Sequence, residues 1–164
     1  MVFVNTIADI VHTNVDQFAG APNKNIGDAF LLVWKIPHKD TFFDSNLRQL
    51  LPNWNGPNWV WCEMALMSFV LILAGIHKSK LCDSYRDNPE LNKRMPNYRV
   101  SLGFGLHIGW AIEGAIGSTF KIDASYLSPN VNMSNILEAA TKEYGTPILF
   151  TGDLANHFSD KLKT

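Results

Sequence analysis

Few residues in this sequence fall into patterns that do chemistry by themselves. The five histidines, His12, His38, His77, His107 and His157, are scattered and lack the spacing of metal ligands, so core or surface roles suit them better. Cys62 and Cys82 form no C-x-x-C pair. Gly103-Phe104-Gly105 is a strand glycine pattern, not a P-loop. Asp28 stands apart. It follows Gly27, and a Gly-Asp pair between β-prone residues signals a hairpin turn. Aspartate is an ordinary turn residue chosen for its backbone conformation.

The elements that would position these groups can be read along the chain. Residues 2–19 read as a helix, with Ile7, Ile10, Val11, Val15 and Phe18 on one face and Gly20 and Pro22 ending it. Two short strands flank Gly27-Asp28, the second running through the apolar stretch Phe30 to Trp34. Residues 37–58, with Pro37, Pro52, Gly56 and Pro57, read as a long loop. Trp59 to Ile76 reads as a buried helix rather than a membrane span, because Glu63 interrupts it and Met64 to Ile76 is too short to cross a bilayer. Residues 79–97, with Pro89 and Pro96, read as a second long connection.

Val100, Leu102, Phe104, Leu106 and Ile108 alternate with Arg99, Ser101, Gly103, Gly105 and His107, which predicts a strand with one apolar face. Gly109, Gly114 and Gly117 mark turns or close backbone approach. A helix over 131–144 is stopped by Gly145 and Pro147. A short strand to Phe150 and a weak terminal helix follow. The order helix, hairpin, helix, strand, helix, strand predicts an α+β sandwich in a single domain over 1–164.

Bulk properties set limits on function. The 164 residues are 46% hydrophobic and 18% charged, enough for one real core. A net charge of -1 gives no electrostatic case for nucleic acid or an anionic membrane. Two cysteines that form no C-x-x-C pair fit a reduced, intracellular, cytoplasmic setting, and the N-terminus has no signal-peptide order. Trp54, Trp59 and Trp61 are of a type that anchors cores and interfaces.

Three segments in register carry a family resemblance. They are Asn23-Lys24-Asn25-Ile26-Gly27-Asp28-Ala29-Phe30, then Gly105-Leu106-His107-Ile108-Gly109 running on to Glu113-Gly114-Ala115-Ile116-Gly117, then Ile122 to Asn132. Their order and spacing resemble the catalytic domain of class III adenylyl and guanylyl cyclases, and the wording is similar to cyclase domains of ciliates and other flagellated protists. The resemblance covers about residues 1–160. It implies a ferredoxin-like α+β fold, conversion of a nucleoside triphosphate to the 3′,5′-cyclic monophosphate and pyrophosphate, and a site shared between two cyclase domains. It also implies Mg²⁺ (or Mn²⁺), two ions held by two aspartates.

Carried over residue by residue, the resemblance makes Asp28 the second metal aspartate. It makes Lys24 the base-reading lysine, whose ammonium satisfies the adenine N1 acceptor and so favours ATP; a solvated strand lysine reads the same in isolation. Ser125, seven residues before Asn132, falls at the second base-reading position, where a hydroxyl that donates and accepts does not decide between bases. It could equally be a loop serine. Asn132 matches the ribose-positioning asparagine, or else a helix-start asparagine.

Two departures shape the expectation. The family's transition-state arginine, four residues after Asn132, is Ile136 here, and no arginine follows Arg99. The family's first strand with its first metal aspartate is expected upstream of residues 2–19, so the fold is expected to lack that strand, and the family's last strands with a phosphate-binding lysine are expected to be missing after Thr164, as in a fragment of a longer protein or a naturally incomplete domain. Two functions follow: half of a cyclase that needs a partner, or a non-enzymatic cyclase fold kept for assembly or regulation in a larger complex, for which a cilium or flagellum axoneme is one candidate setting.

Overall fold

The computed structural model describes residues 2–46, 49–52 and 59–164; Trp54 lies outside them. Helix α1 (Val2–Gln17) buries Ile7, Val11 and Val15, one stripe at four-residue spacing. It turns at Ala19, which has a φ of 54°, into a hairpin of β1 (Ala21–Ile26) and β2 (Ala29–Val33). The turn is Gly27-Asp28 and Gly27 has a φ of 66°. A positive φ at the first central position is what a tight II′ hairpin demands, which explains glycine there and leaves Asp28 at the exposed tip. The register shifts between Pro22 and Lys24, a bulge that re-aims the end of β1.

The 37–58 segment is not wholly loop. A 3₁₀ turn leads into a second hairpin, β3 (Thr41–Asp44) with β4 (Gln49–Pro52). Pro52 disguised it: a proline counts against a strand, but at the last ladder position it removes little. After it comes α2 (Trp59–Lys78), whose Cys62, Ala65, Phe69, Ile72 and Ile76 join α1 in one core. At 20 residues α2 is long and apolar enough to cross a membrane by length and composition. One face is nevertheless packed inside, and Glu63 is used internally, its Oε1 accepting from the Ser159 N–H at 2.7 Å. Met67, Val70 and Leu71 stay exposed on the other face.

The 79–97 connection also contains structure. It holds α3 (Lys80–Ser84), capped by the Ser79 hydroxyl, and α4 (Pro89–Arg94), capped by Asn88. Pro89, which reads as a breaker, is the first residue of α4, where its missing N–H costs nothing.

The strand expected over Arg99 to Ile108 shortens to β5 (Phe104–Leu106), because its parallel partner β8 (Ile148–Phe150) offers only three residues. The alternation still has its physical meaning. Phe104 and Leu106 point into the α1–α2 core, where Phe104 stacks on Phe69 at 4.5 Å and Trp34 meets Phe69 edge-on at 5.7 Å. Gly103 and Gly105 point the other way, against α5 (Pro129–Tyr144), Gly103 towards the Thr141 side chain and Gly105 towards the helix backbone. Two helices, a thin strand layer and α5 therefore stack in that order.

The stretch expected as turns around Gly114 and Gly117 is instead a long hairpin, β6 (Ile112–Ser118) with β7 (Lys121–Leu127). Gly117 does sit at a close approach, since a Cβ there would lie 1.9 Å from the Lys121 carbonyl oxygen, whereas Gly114 has open space. α5 is capped by Ser128 and ends at Gly145 with a φ of 61°, as its glycine and following proline predict. Short helices α6 (Gly152–Ala155) and α7 (Asp160–Lys163) close the chain.

Candidate functional site

The residue pair that the fold brings together is Lys24 and Ser125. They are separated by 101 positions, yet the Lys24 Nζ donates to the Ser125 Oγ at 2.6 Å. Beside them the Asn23 side-chain amide donates to the Ala124 carbonyl at 3.2 Å, so β1 and β7 are fastened at two adjacent positions. Ser125 is buried and Lys24 half-buried. An ammonium has three donors and here spends one, so two remain for an acceptor placed above the pair.

Asp28 sits at the exposed tip of the β1–β2 hairpin, and its carboxylate makes no hydrogen bond or ion pair with another described residue. No group of three or more potential ligands from His, Cys, Asp and Glu occurs among the described residues. Mg²⁺ commonly takes one or two carboxylates and completes its shell with substrate phosphates and water, so a single free carboxylate fits part of such a site. Asn132 is exposed on the first turns of α5, and Ile136 follows one turn later on the same face with 59% exposure. Neither Asp28 nor Asn132 is hydrogen-bonded to the Lys24–Ser125 pair.

Two clusters escaped the sequence reading. Lys35, just past β2, pairs with Glu113 on β6, and the Tyr126 hydroxyl on β7 donates to Glu113 Oε1 at 3.0 Å. The Lys35 hydrogen bond holds the Glu113 carboxyl below its ordinary range, with the tyrosine hydroxyl adding to it. Glu113 in turn raises Lys35. Burial, and then the same carboxylate, raises Tyr126. This cluster steadies the β6–β7 hairpin one residue from Ser125. Only the cross-strand facing of Glu113 and Tyr126 was readable in principle, and it required knowing the hairpin.

The second cluster centres on His107. Its Nδ1 lies 2.9 Å from the Thr151 hydroxyl and its Nε2 lies 3.1 Å from Asn130 Oδ1. The Asn130 amide donates to the Trp110 carbonyl at 2.8 Å, which also accepts from Ser128 Oγ at 2.7 Å. The network ties the end of β5 to the starts of α5 and α6, so it fixes the helix that carries Asn132.

Comparison with known proteins follows the same lines. No family model matches the sequence. An adenylate cyclase of Anabaena cylindrica is 25% identical over 158 residues, 96% of this chain, and the chain spans about a quarter of that relative's length, 26%. Among solved structures, a bacterial light-regulated adenylyl cyclase superposes with a TM-score of 0.66 at 21% identity, covering 98% of this chain and 38% of the other. A guanylyl cyclase crystal structure gives a TM-score of 0.63 at 16% identity, covering 97% and 66%. The chain has the α+β fold of class III nucleotidyl cyclases.

Proposed function

We propose that this chain forms one side of an adenylyl cyclase catalytic centre and makes no cyclic nucleotide until a second cyclase domain completes the site. The observation that carries this reading is the 2.6 Å contact between Lys24 Nζ and Ser125 Oγ. It unites, from positions 101 residues apart, the two residues that the family resemblance assigns to the base. The ammonium offers donors to adenine N1, which accepts, and not to guanine N1, which already carries a proton. ATP is therefore the favoured substrate.

Asp28 would hold Mg²⁺ or Mn²⁺, which when bound supplies neutralisation of the triphosphate. Asn132, exposed on α5, would orient the ribose. Ile136 supplies no charge to the reacting phosphate, and such a cation is worth on the order of 10³-fold or more in phosphoryl transfer. A partner is further supported by the β6–β7 hairpin, on which Ile112, Ile116, Ile122 and Leu127 are each more than half exposed and Phe120, at the tip, is 98% exposed. Apolar surface of this kind marks an interaction site.

The test is product formation from Mn²⁺-ATP, with the chain alone and with an added catalytic domain of the same fold. The expected result is no cyclic AMP alone and cyclic AMP from the mixture, lost in Asp28→Ala. Product from the chain alone would refute the need for a partner. The exposed Ile136 favours one further reading, a fold that serves assembly or regulation in a larger complex without catalysis. Absence of nucleotide binding both alone and in the mixture would select that second reading.

A further inference from the structure

Away from Lys24 and Ser125, a cavity of about 170 Å³ opens where the C-terminal end of α2, the α3 region and the segment entering β5 meet. Its walls include His77, Asp83, Arg86 and Arg99, over a floor of Ile76 and Cys82. Arg86 and Arg99, 13 residues apart and both exposed, thus line one small space.

The charge balance there is positive. Arg86 Nη1 lies 4.0 Å from Asp83 Oδ1, the outer limit of an ion pair between two exposed side chains, which contributes little. Arg99 makes no ion pair and no hydrogen bond with a described residue. The lining thus carries two arginines against one carboxylate residue. His77 is held in place by its Nδ1, 2.8 Å from the Leu73 carbonyl. A carbonyl only accepts, so Nδ1 is the donor of that bond.

A cation is the wrong occupant, because two arginines of its own charge sign line the walls and no group of three or more potential metal ligands occurs among the described residues. A drug-sized organic ligand is too large, since such sites run to roughly 300–1,000 Å³. What remains is a compact anion whose oxygens match the planar guanidinium fork.

We propose that this cavity binds a small oxyanion, a phosphate or a carboxylate, through Arg86 and Arg99. The site is independent of the proposed nucleotide chemistry and shares no residue with it. Because Arg99 leads the chain into β5, occupancy joins the α3 region to the strand layer and stabilises the fold.

The probes are inorganic phosphate and acetate, titrated against the 164-residue chain by calorimetry and by thermal melting at fixed ionic strength. Saturable binding with a rising melting temperature is expected for at least one of them, and their ratio separates a tetrahedral from a planar ligand. Arg99→Ala and Arg86→Ala should each weaken binding roughly 10- to 100-fold, the range for a lost hydrogen bond between charged groups. Arg99→Lys, which keeps charge but loses the fork, should fall between. Arg94→Ala, outside the cavity, should bind as the parent does and controls for net charge. No saturable binding of either anion, or equal weakening by Arg94→Ala, would overturn the proposal. Melting of the unliganded variants at the parental temperature excludes misfolding as the cause.

Discussion

Gly105 and Ser134 are so close that a Cβ on the glycine would lie 2.0 Å from the serine's carbonyl oxygen. The second nearest atom is the Glu138 backbone nitrogen at 2.5 Å, so neither obstacle is a side chain that can rotate away. This contact sets how near β5 lies to α5, and with it where the α5 residues Asn132 and Ile136 stand. Gly105→Ala should therefore destabilise the fold by about 3 kcal/mol, the upper part of the range for overpacking. A urea midpoint unchanged from the parent would show that α5 shifts freely.

On the proposed function, Lys24→Glu replaces a donor by an acceptor at the position assigned to the base. In the two-domain mixture it should reverse nucleotide preference from ATP toward GTP by roughly tenfold or more, one charge-assisted hydrogen bond exchanged. Competition between the two nucleotides for one fluorescent analogue reads this directly. Equal loss of both affinities would mean that Lys24 contacts phosphate or only supports Ser125.

Ile136→Arg should be tolerated, because the position is 59% exposed and surface changes usually stay within about 0.5 kcal/mol. If α5 faces the reacting phosphate, the variant should raise turnover of the two-domain mixture on the order of 10³-fold. Unchanged turnover with intact folding would remove α5 from the catalytic site.

Phe120→Ser changes a side chain that is 98% exposed at the β6–β7 tip. Monomer melting should be unaffected, while association with a second domain should weaken measurably in sedimentation. Parental association would assign the interface to another surface.

Burial, with Glu63 nearby, raises the Cys62 thiol to about 11. An acid whose folded pKa is raised holds its proton more tightly when folded. Stability is then whole below the unfolded thiol's range near 9, and falls as pH climbs from there toward 11. The loss should reach about 2–3 kcal/mol and should vanish in Cys62→Ala after correction for its own cavity cost. His157 behaves oppositely at the acid end. Burial lowers its pKa from 6.5, so stability is whole above that value and is lost as pH falls below it. Denaturant midpoints across pH 5–11 check both signs.

The sequence by itself determined the parts governed by local physics. The α1 stripe of Ile7, Val11 and Val15, the Gly27-Asp28 turn, and the Gly145 stop of α5 each follow from side-chain period or from a φ that only certain residues tolerate. The motif order likewise led to the fold that the solved cyclase structures share. Where the sequence misled, partners were the cause. A strand exists only where another strand meets it, so the ten alternating residues at 99–108 reduce to the three that β8 can pair, while the glycine-rich 112–127 segment becomes a hairpin. Only tertiary structure could decide that Lys24 reaches Ser125, that Lys35 reaches Glu113, and that Arg86 and Arg99 line one cavity. Such contacts join residues whose separation along the chain bears no relation to any helical or strand period. The closing of the chain, not its spelling, places them together.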